Sequence, residues 1–379
     1  INRRVPRDSF EHCLLNAAQQ FVIRQGKKVE VIAGYPWFGR WGRDTFIALP
    51  GLAMVTGELK LAKAAIDNIL PEMRGPLFPN KGIGEHAIFN SADTPLWFFW
   101  ALQQYGIFSG SNAGIWKEYG KKMKTILEGY RTGTYHNIKM HDNGLIFAGE
   151  AGIPVTWMDA VVEGKPVTPR IGYAVEINAL WYNAMMFALD LADEAGDRTF
   201  VNTWKPIADA FPDAFLDNFW VESREHLADY THGDYKDISM RPNQVFATSL
   251  PYTPLTEEIR NKVLERIKSE LLTPRGLRSL SPKNPLYKGT YTGNQTQRDM
   301  AYHQGSVYPW LLGHFAEGYL KIHGKSGLKF VTDLYRGIEE VMNEHGIGTI
   351  SEVYDGDPPH KPGGAISQAW NVEIGRAHV

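Results

Sequence analysis

The chain has 379 residues, 43% of them hydrophobic, with a net charge of -2 spread over mixed signs. That is ample apolar material for a large buried core, and no block of like charge forms the arm of a nucleic-acid binder or an acidic tail. The lone cysteine, Cys13, excludes a disulfide framework and a cysteine-built metal centre; no apolar run is long enough to span a bilayer, and there is no signal-peptide pattern.

The chain opens Ile1-Asn2-Arg3-Arg4 without an initiator methionine, so its start reads as a cut from something longer. Its abrupt end, Gly375 to Val379, reads the same way. Apolar residues first recur at helical spacing over 10–24, at Phe10, Leu14, Ala17, Ala18 and Phe21. A short strand-like alternation, 28–33, follows. Then comes a loop, Gly34-Tyr35-Pro36-Trp37-Phe38-Gly39-Arg40-Trp41-Gly42-Arg43-Asp44, that leads into a helix over 44–55. One reading makes Asp44 a cap or first-turn acid with the aromatics as a buried plug. The other gives Arg43 and Asp44 to the vicinal hydroxyls of a terminal sugar, as a fork of donors beside a pair of acceptors. Trp37, Phe38 and Trp41 would then supply stacking surfaces. Three aromatics among so many glycines favour the second.

Helical spacing continues over 58–70, 94–105 and 115–130. The next loop contains Gly149-Glu150 and then Thr156-Trp157-Met158-Asp159. Asp159 follows two apolar residues and has no basic neighbour for several positions. Desolvation would favour its protonated form, as a general acid for glycoside cleavage requires. Glu150 and Glu163 compete for the role. Thr168-Pro169-Arg170-Ile171-Gly172 then enters a helix over 173–195, where Glu176 and Asn178 either face a polar cavity or cap neighbouring loops.

Helices follow over 198–215, 241–250 and 257–271. A loop from Tyr291 to Trp310, rich in neutral hydrogen-bonding groups, overlaps a helix over 301–322. Tyr302, His303 and Gln304 read as contacts to sugar hydroxyls, although a lone histidine is more often a satisfied structural group. A helix over 325–344 precedes Gly348-Thr349-Ile350-Ser351-Glu352, where Glu352 is either a second working carboxylate or a solvated loop acid. Asp355-Gly356-Asp357 resembles half a calcium loop without the remaining ligand spacing, so no metal is expected. A last helix covers 365–379. About twelve helices thus alternate short turns with long loops, and long loops in compact domains are usually functional. The pattern suggests an all-α barrel of about six helical hairpins. Aromatic content of 12%, with 11 Trp and 17 Tyr, suits either a sugar site or simply a large core.

At these loops the sequence resembles the amylo-α-1,6-glucosidase region of glycogen debranching enzymes. The motifs are Trp41-Gly42-Arg43-Asp44, Thr156-Trp157-Met158-Asp159, Thr168-Pro169-Arg170, Glu176-Ile177-Asn178-Ala179-Leu180, and Gly348-Thr349-Ile350-Ser351-Glu352 through Gln368-Ala369-Trp370. Their order also matches, over nearly the whole chain. The resemblance implies an (α/α)6 barrel spanning 1–379 as one catalytic domain, with the site at one mouth. It implies a preceding N-terminal β domain in the longer parent.

It further implies that Arg43 and Asp44 hold the terminal glucose, that Asp159 is the general acid and Glu352 the general base, and that the anomeric carbon inverts. Inversion needs the two carboxyls about 6.5–9.5 Å apart, with room for water. Trp41, Trp37, Trp157, Glu176, His303 and Gln304 complete the expected sugar contacts. The expected partner is an α-glucan or oligosaccharide, with no nucleic acid, membrane or cofactor, in the cytoplasm. Rival readings are an α-1,4-glucosidase, trehalase or sugar phosphorylase on the same barrel, or a carbohydrate-binding domain without catalysis.

Overall fold

The computed structural model describes residues 9–26 and 28–372. The expectations for Ile1–Arg4, for Gly375–Val379 and for the end of the last helix lie outside the described residues. Thirteen α-helices follow in order among those described: α1 Phe10–Gln20, α2 Gly42–Leu49, α3 Leu59–Ile69, α4 Thr94–Ser109, α5 Ile115–Thr132, α6 Val175–Glu194, α7 Arg198–Phe219, α8 Phe246–Ser249, α9 Glu257–Glu270, α10 Gln295–Tyr302, α11 Leu311–His323, α12 Leu328–Val341 and α13 Ala369–Val372.

Six of them form an inner ring. α2 packs on α4, α4 on α6, α6 on α8 and α8 on α11. The ring closes where Trp310, at the start of α11, stacks on Trp370 of α13 at 5.0 Å and α13 packs back on α2. Outside it lie α1 against α13, α3 against α4, α5 and α7 against α6, and α9 and α12 against α11. The protein is therefore an all-α barrel of the (α/α)6 kind, with α10 as an addition.

Sequence explains which helices go where. A helix that is apolar all round is buried. In α4, Leu96 to Leu102 are all buried, and in α6 the same holds from Val175 to Trp181. The outer α12 instead buries one stripe, Val331, Tyr335, Ile338 and Val341, which is the spacing of a one-sided helix.

The centre of the ring is filled by aromatic side chains. Trp97 meets Trp100 edge-on at 5.4 Å and Phe246 at 5.3 Å; Phe246 stacks on Trp310 at 5.5 Å. Trp97, Trp100, Trp181 and Trp310 are fully buried, so much of the tryptophan excess builds the core. No helix among the described residues is long and apolar enough to cross a membrane.

Four expected elements differ, one of them the last helix, which starts at Ala369 and not at Ala365 because Ser367–Gln368 is a strand. The helix expected to reach Arg24 stops at Gln20, because Val22–Gln25 instead pairs antiparallel with Lys28–Val31. The expected helix over 301–322 is two helices, α10 and α11, separated by a strand at Val307–Tyr308. The 241–250 segment is a 3-10 turn followed by the one-turn α8.

Candidate active site

Loops from opposite ends of the chain meet over the aromatic floor because very short strands tie them together. Ser367–Gln368 pairs with Gly34–Tyr35, Gln368 opposite Gly34. Leu272–Thr273, Gly276–Arg278, Val307–Tyr308, Val353–Tyr354 and Pro362–Gly363 form an antiparallel sheet in that order. Its Val307–Tyr354 pairing carries Tyr302 and His303 to the side of Glu352. The result is a cavity of about 730 Å³, lined among others by Arg43, Asp44, Trp157, Asp159, His303 and Glu352.

Helix α2 opens on Gly42, where a Cβ would come within 2.3 Å of the Pro79 carbonyl oxygen. The next residue, Arg43, is 2% exposed. Its Nε and Nη2 donate to the two carboxylate oxygens of Asp93 at 2.7 and 3.0 Å, and Nη1 donates to Asp159 Oδ2 at 3.3 Å. Asp93 thus occupies the fork that the sequence reading offered to sugar hydroxyls. What Arg43 presents to the cavity is one nitrogen beside Asp159. Asp44 accepts from Gln368 Nε2 at 3.0 Å. Burial pushes its pKa up to about 7, with Asp159 and Glu352 adding to the rise and Arg43 opposing it.

Asp159 is not in the apolar setting expected of it. Trp157 and Met158 turn into the core, and its neighbours come from elsewhere: Arg43, and His303 with Nε2 at 3.9 Å from Oδ1. Burial pushes the Asp159 carboxyl up, but His303 and Arg43 together bring it below the ordinary aspartate value. Of the competing acids, Glu150 accepts from or shares a proton with His136 Nδ1 at 2.8 Å, and Glu163 sits at φ 50 in the turn between two short strands. Neither lines the cavity.

Glu352 is 2% exposed. The Ala365 N–H donates to its Oε2 at 2.7 Å, and the Tyr302 hydroxyl donates to its Oε1. Burial raises its pKa, Asp159 adds to the rise, and the two donors oppose it. Gly364 lies over it at φ +69, where a Cβ would meet Glu352 Oε2 at 2.3 Å; only glycine fits. Trp157 forms the floor, edge-on to Trp310 at 5.4 Å and to His303 at 5.2 Å. Trp37, Phe38 and Trp41 line the wall, and Trp37 is 62% exposed at the mouth.

The amylo-alpha-1,6-glucosidase family matches residues 16–374 of this sequence. The chain belongs to that family. It is also 25% identical over 402 aligned positions to the glycogen debranching enzyme of Saccharomyces cerevisiae (strain ATCC 204508 / S288c), an alignment covering 80% of this chain and 26% of that protein. The chain therefore spans about a quarter of the length of that relative.

Two residues expected to touch sugar are elsewhere in this amylo-α-1,6-glucosidase family member. Glu176 is 1% exposed, and Arg170 donates to both its oxygens while also gripping Asp229; it belongs to a buried ion network behind the floor. Gln304 accepts from Arg241 Nη2 at 2.7 Å, so its amide holds a loop. Asp355 and Asp357 likewise pin loops, accepting from the Tyr291 N–H at 2.6 Å and the Tyr287 hydroxyl at 2.9 Å.

The sequence reading missed Gln295, Arg298 and Asp299, which with Tyr302 line the cavity from one face of α10, at the i, i+3, i+4, i+7 spacing of a single helical stripe. Gln368 and Trp370 also face the cavity. Gln368 Oε1 and Trp370 Nε1 are buried without a protein partner.

Proposed function

We propose that this cavity holds the terminal glucose of an α-glucan and hydrolyses its α-1,6 bond, with Asp159 as general acid and Glu352 as general base. The observation that carries the reading is the pair of carboxylates lining one cavity, one of them gripped by two donors. Asp159 donates its proton to the glycosidic oxygen as the bond to the anomeric carbon breaks. Glu352 takes a proton from the water that attacks the opposite face, so the product inverts. The Tyr302 hydroxyl and the Ala365 N–H stabilise the ionised form of Glu352, the form a base needs.

Asp44 offers hydrogen bonds to the hydroxyls of the bound ring, over the Trp157 floor. The rest of the glucan leaves between Trp37, which is exposed, and the α10 stripe that begins at the exposed Gln295. The chemistry uses no cofactor. A second reading exchanges the two roles; the raised Glu352 and lowered Asp159 favour it, and the two donors on Glu352 oppose it.

The test is proton NMR of the anomeric signals while a glucan bearing single α-1,6-glucosyl stubs is digested. The expected product is β-glucose. Asp159→Asn and Glu352→Gln should each lose on the order of 10²–10⁴-fold. α-Glucosyl fluoride, whose leaving group needs no proton, assigns the roles. The variant that keeps fluoride turnover has lost the acid, and we expect it to be Asp159→Asn. If Glu352→Gln keeps it instead, the roles are exchanged. Variants that match the wild type would remove both assignments, and a wild type that releases no glucose would favour a binding domain.

A further inference from the structure

We infer that His303 turns a bare Nε2 lone pair toward Asp159, and that this acceptor keeps the proton on Asp159 that the leaving glucan must receive. The inference rests on the reading of Asp159 as the general acid. It follows from counting protons along one buried chain of atoms.

Tyr308 has a single hydroxyl proton. Its oxygen lies 2.8 Å from the Tyr302 carbonyl oxygen, which can only accept, so the proton points there. The same hydroxyl oxygen lies 3.0 Å from His303 Nδ1 and has lone pairs left. Nδ1 must therefore carry the hydrogen of that contact. His303 is 1% exposed, and burial lowers its pKa; Asp159 works against that fall, Arg241 and Arg43 add to it, and the net direction is down. A neutral imidazole has one N–H; with that N–H on Nδ1, Nε2 is unprotonated.

Nε2 is buried and has no hydrogen-bond partner, and it faces Asp159 Oδ1 at 3.9 Å. The opposite tautomer would deprive the Tyr302 carbonyl of the Tyr308 proton. It would also leave a buried N–H too far from Oδ1 to bond.

The consequence for Asp159 is a matter of sign. Arg43 Nη1, 3.3 Å from Oδ2, favours the carboxylate. A bare nitrogen opposite Oδ1 favours the acid, because at 3.9 Å the neutral ring turns the negative end of its dipole toward that oxygen, which disfavours a carboxylate there. The part of the Asp159 lowering that comes from His303 requires a proton on Nε2; with Nε2 bare, Arg43 alone exerts that pull. The other groups facing this ring are the Trp157 edge at 5.2 Å, the Tyr302 ring at 4.5 Å and Arg241, whose Nη1 donates to the His303 carbonyl at 2.7 Å. In each turnover Asp159 passes its proton to the glycosidic oxygen, becomes a carboxylate and takes a new proton from solvent. His303 keeps its own N–H throughout. It is a positioning residue.

The direct test is 15N NMR of histidine-labelled protein at neutral pH, with His303 assigned by loss of its signals in His303→Gln. A protonated Nδ1 with an unprotonated Nε2 is expected; a protonated Nε2 overturns the proposal. The second test is Tyr308→Phe, which keeps the ring and removes the oxygen that fixes the tautomer. The ring is then free to place its N–H on Nε2, toward Asp159. The alkaline limb of kcat/KM on the α-1,6 substrate should move to lower pH, with about a tenfold loss near pH 8, while α-glucosyl fluoride is turned over with little change. Equal losses on both substrates and an unmoved limb would mean that Tyr308 only supports the fold, and the proposal fails. If Asp159→Asn spoils fluoride turnover as much as glucan cleavage, the acid assignment falls, whereas the tautomer result stands by itself.

Discussion

Asp44 is 4% exposed and faces two further acids, so its carboxyl holds a proton up to about pH 7, whereas an aspartate in an unfolded chain releases it near about pH 4. The folded state binds this proton more tightly. Its contribution to stability is therefore full below about pH 4 and is lost as the pH rises through about 7. Asp44→Asn removes the charge and keeps an oxygen for Gln368 Nε2. We expect this variant to be more stable than the wild type at pH 8, on the order of 2–4 kcal/mol, with the gap closing toward pH 4 and with glucan cleavage lost. Urea unfolding at the two pH values checks it; an equal gap at both would mean that folding does not shift the Asp44 pKa.

Single residues were legible to very different degrees. The carboxylates that share the cavity stood out in their motifs, but their electrostatic partners did not. Arg43 is held by Asp93, fifty positions away in a different loop, so nothing local signalled that its fork was taken. Glu176 is the opposite case. Its partner Arg170 lies only six positions earlier, in the motif just before it, and a buried ion pair between them was as readable as a sugar contact.

At the scale of elements, periodicity revealed the long helices because a stripe repeated over three or more turns is hard to imitate. Strands of two residues have no period to read, and these strands bring the loops together. The α10 helix had a signal of another kind. Asn294 and Gln297 form a reciprocal capping box, a four-residue pattern that announces a helix start. This helix places its last residue, Tyr302, against Glu352, so a structural device at one end positions a chemical group at the other. Tyr302→Phe leaves Glu352 with only the Ala365 N–H. The carboxylate loses a donor that favours its ionised form, so its pKa rises, and the acid limb of kcat/KM should move to higher pH. A pH–rate profile reads the shift; an unmoved limb would show that Tyr302 does not tune the base.

For the whole molecule, the decisive feature is that the ring closes with residues from its two ends. The Ala369 N–H donates to the Ala33 carbonyl at 2.8 Å, and Gln368 N–H to the Ile350 carbonyl at 3.1 Å. Asn371 of α13 is the central clasp. It is fully buried, accepts from the Trp310 N–H at 3.0 Å, and donates to the carbonyls of Ser351 and Glu352 at 2.6 and 3.0 Å. One side chain thus joins α13 to α11 and fixes the backbone of the proposed base. Asn371→Ala would strand three buried backbone groups, each costing about 1–3 kcal/mol, so a loss of at least about 3 kcal/mol is expected. Asn371→Asp keeps the acceptor for Trp310 but sets carboxylate oxygen against two carbonyls, and should be at least as damaging. Thermal unfolding of both variants reads the cost. Because closure and the base share this residue, α-glucosyl fluoride turnover should fall even at temperatures where the variants remain folded. An Asn371→Ala protein within about 1 kcal/mol of the wild type, on the scale of a single ordinary hydrogen bond, would show that the barrel closes through its aromatic stacking alone.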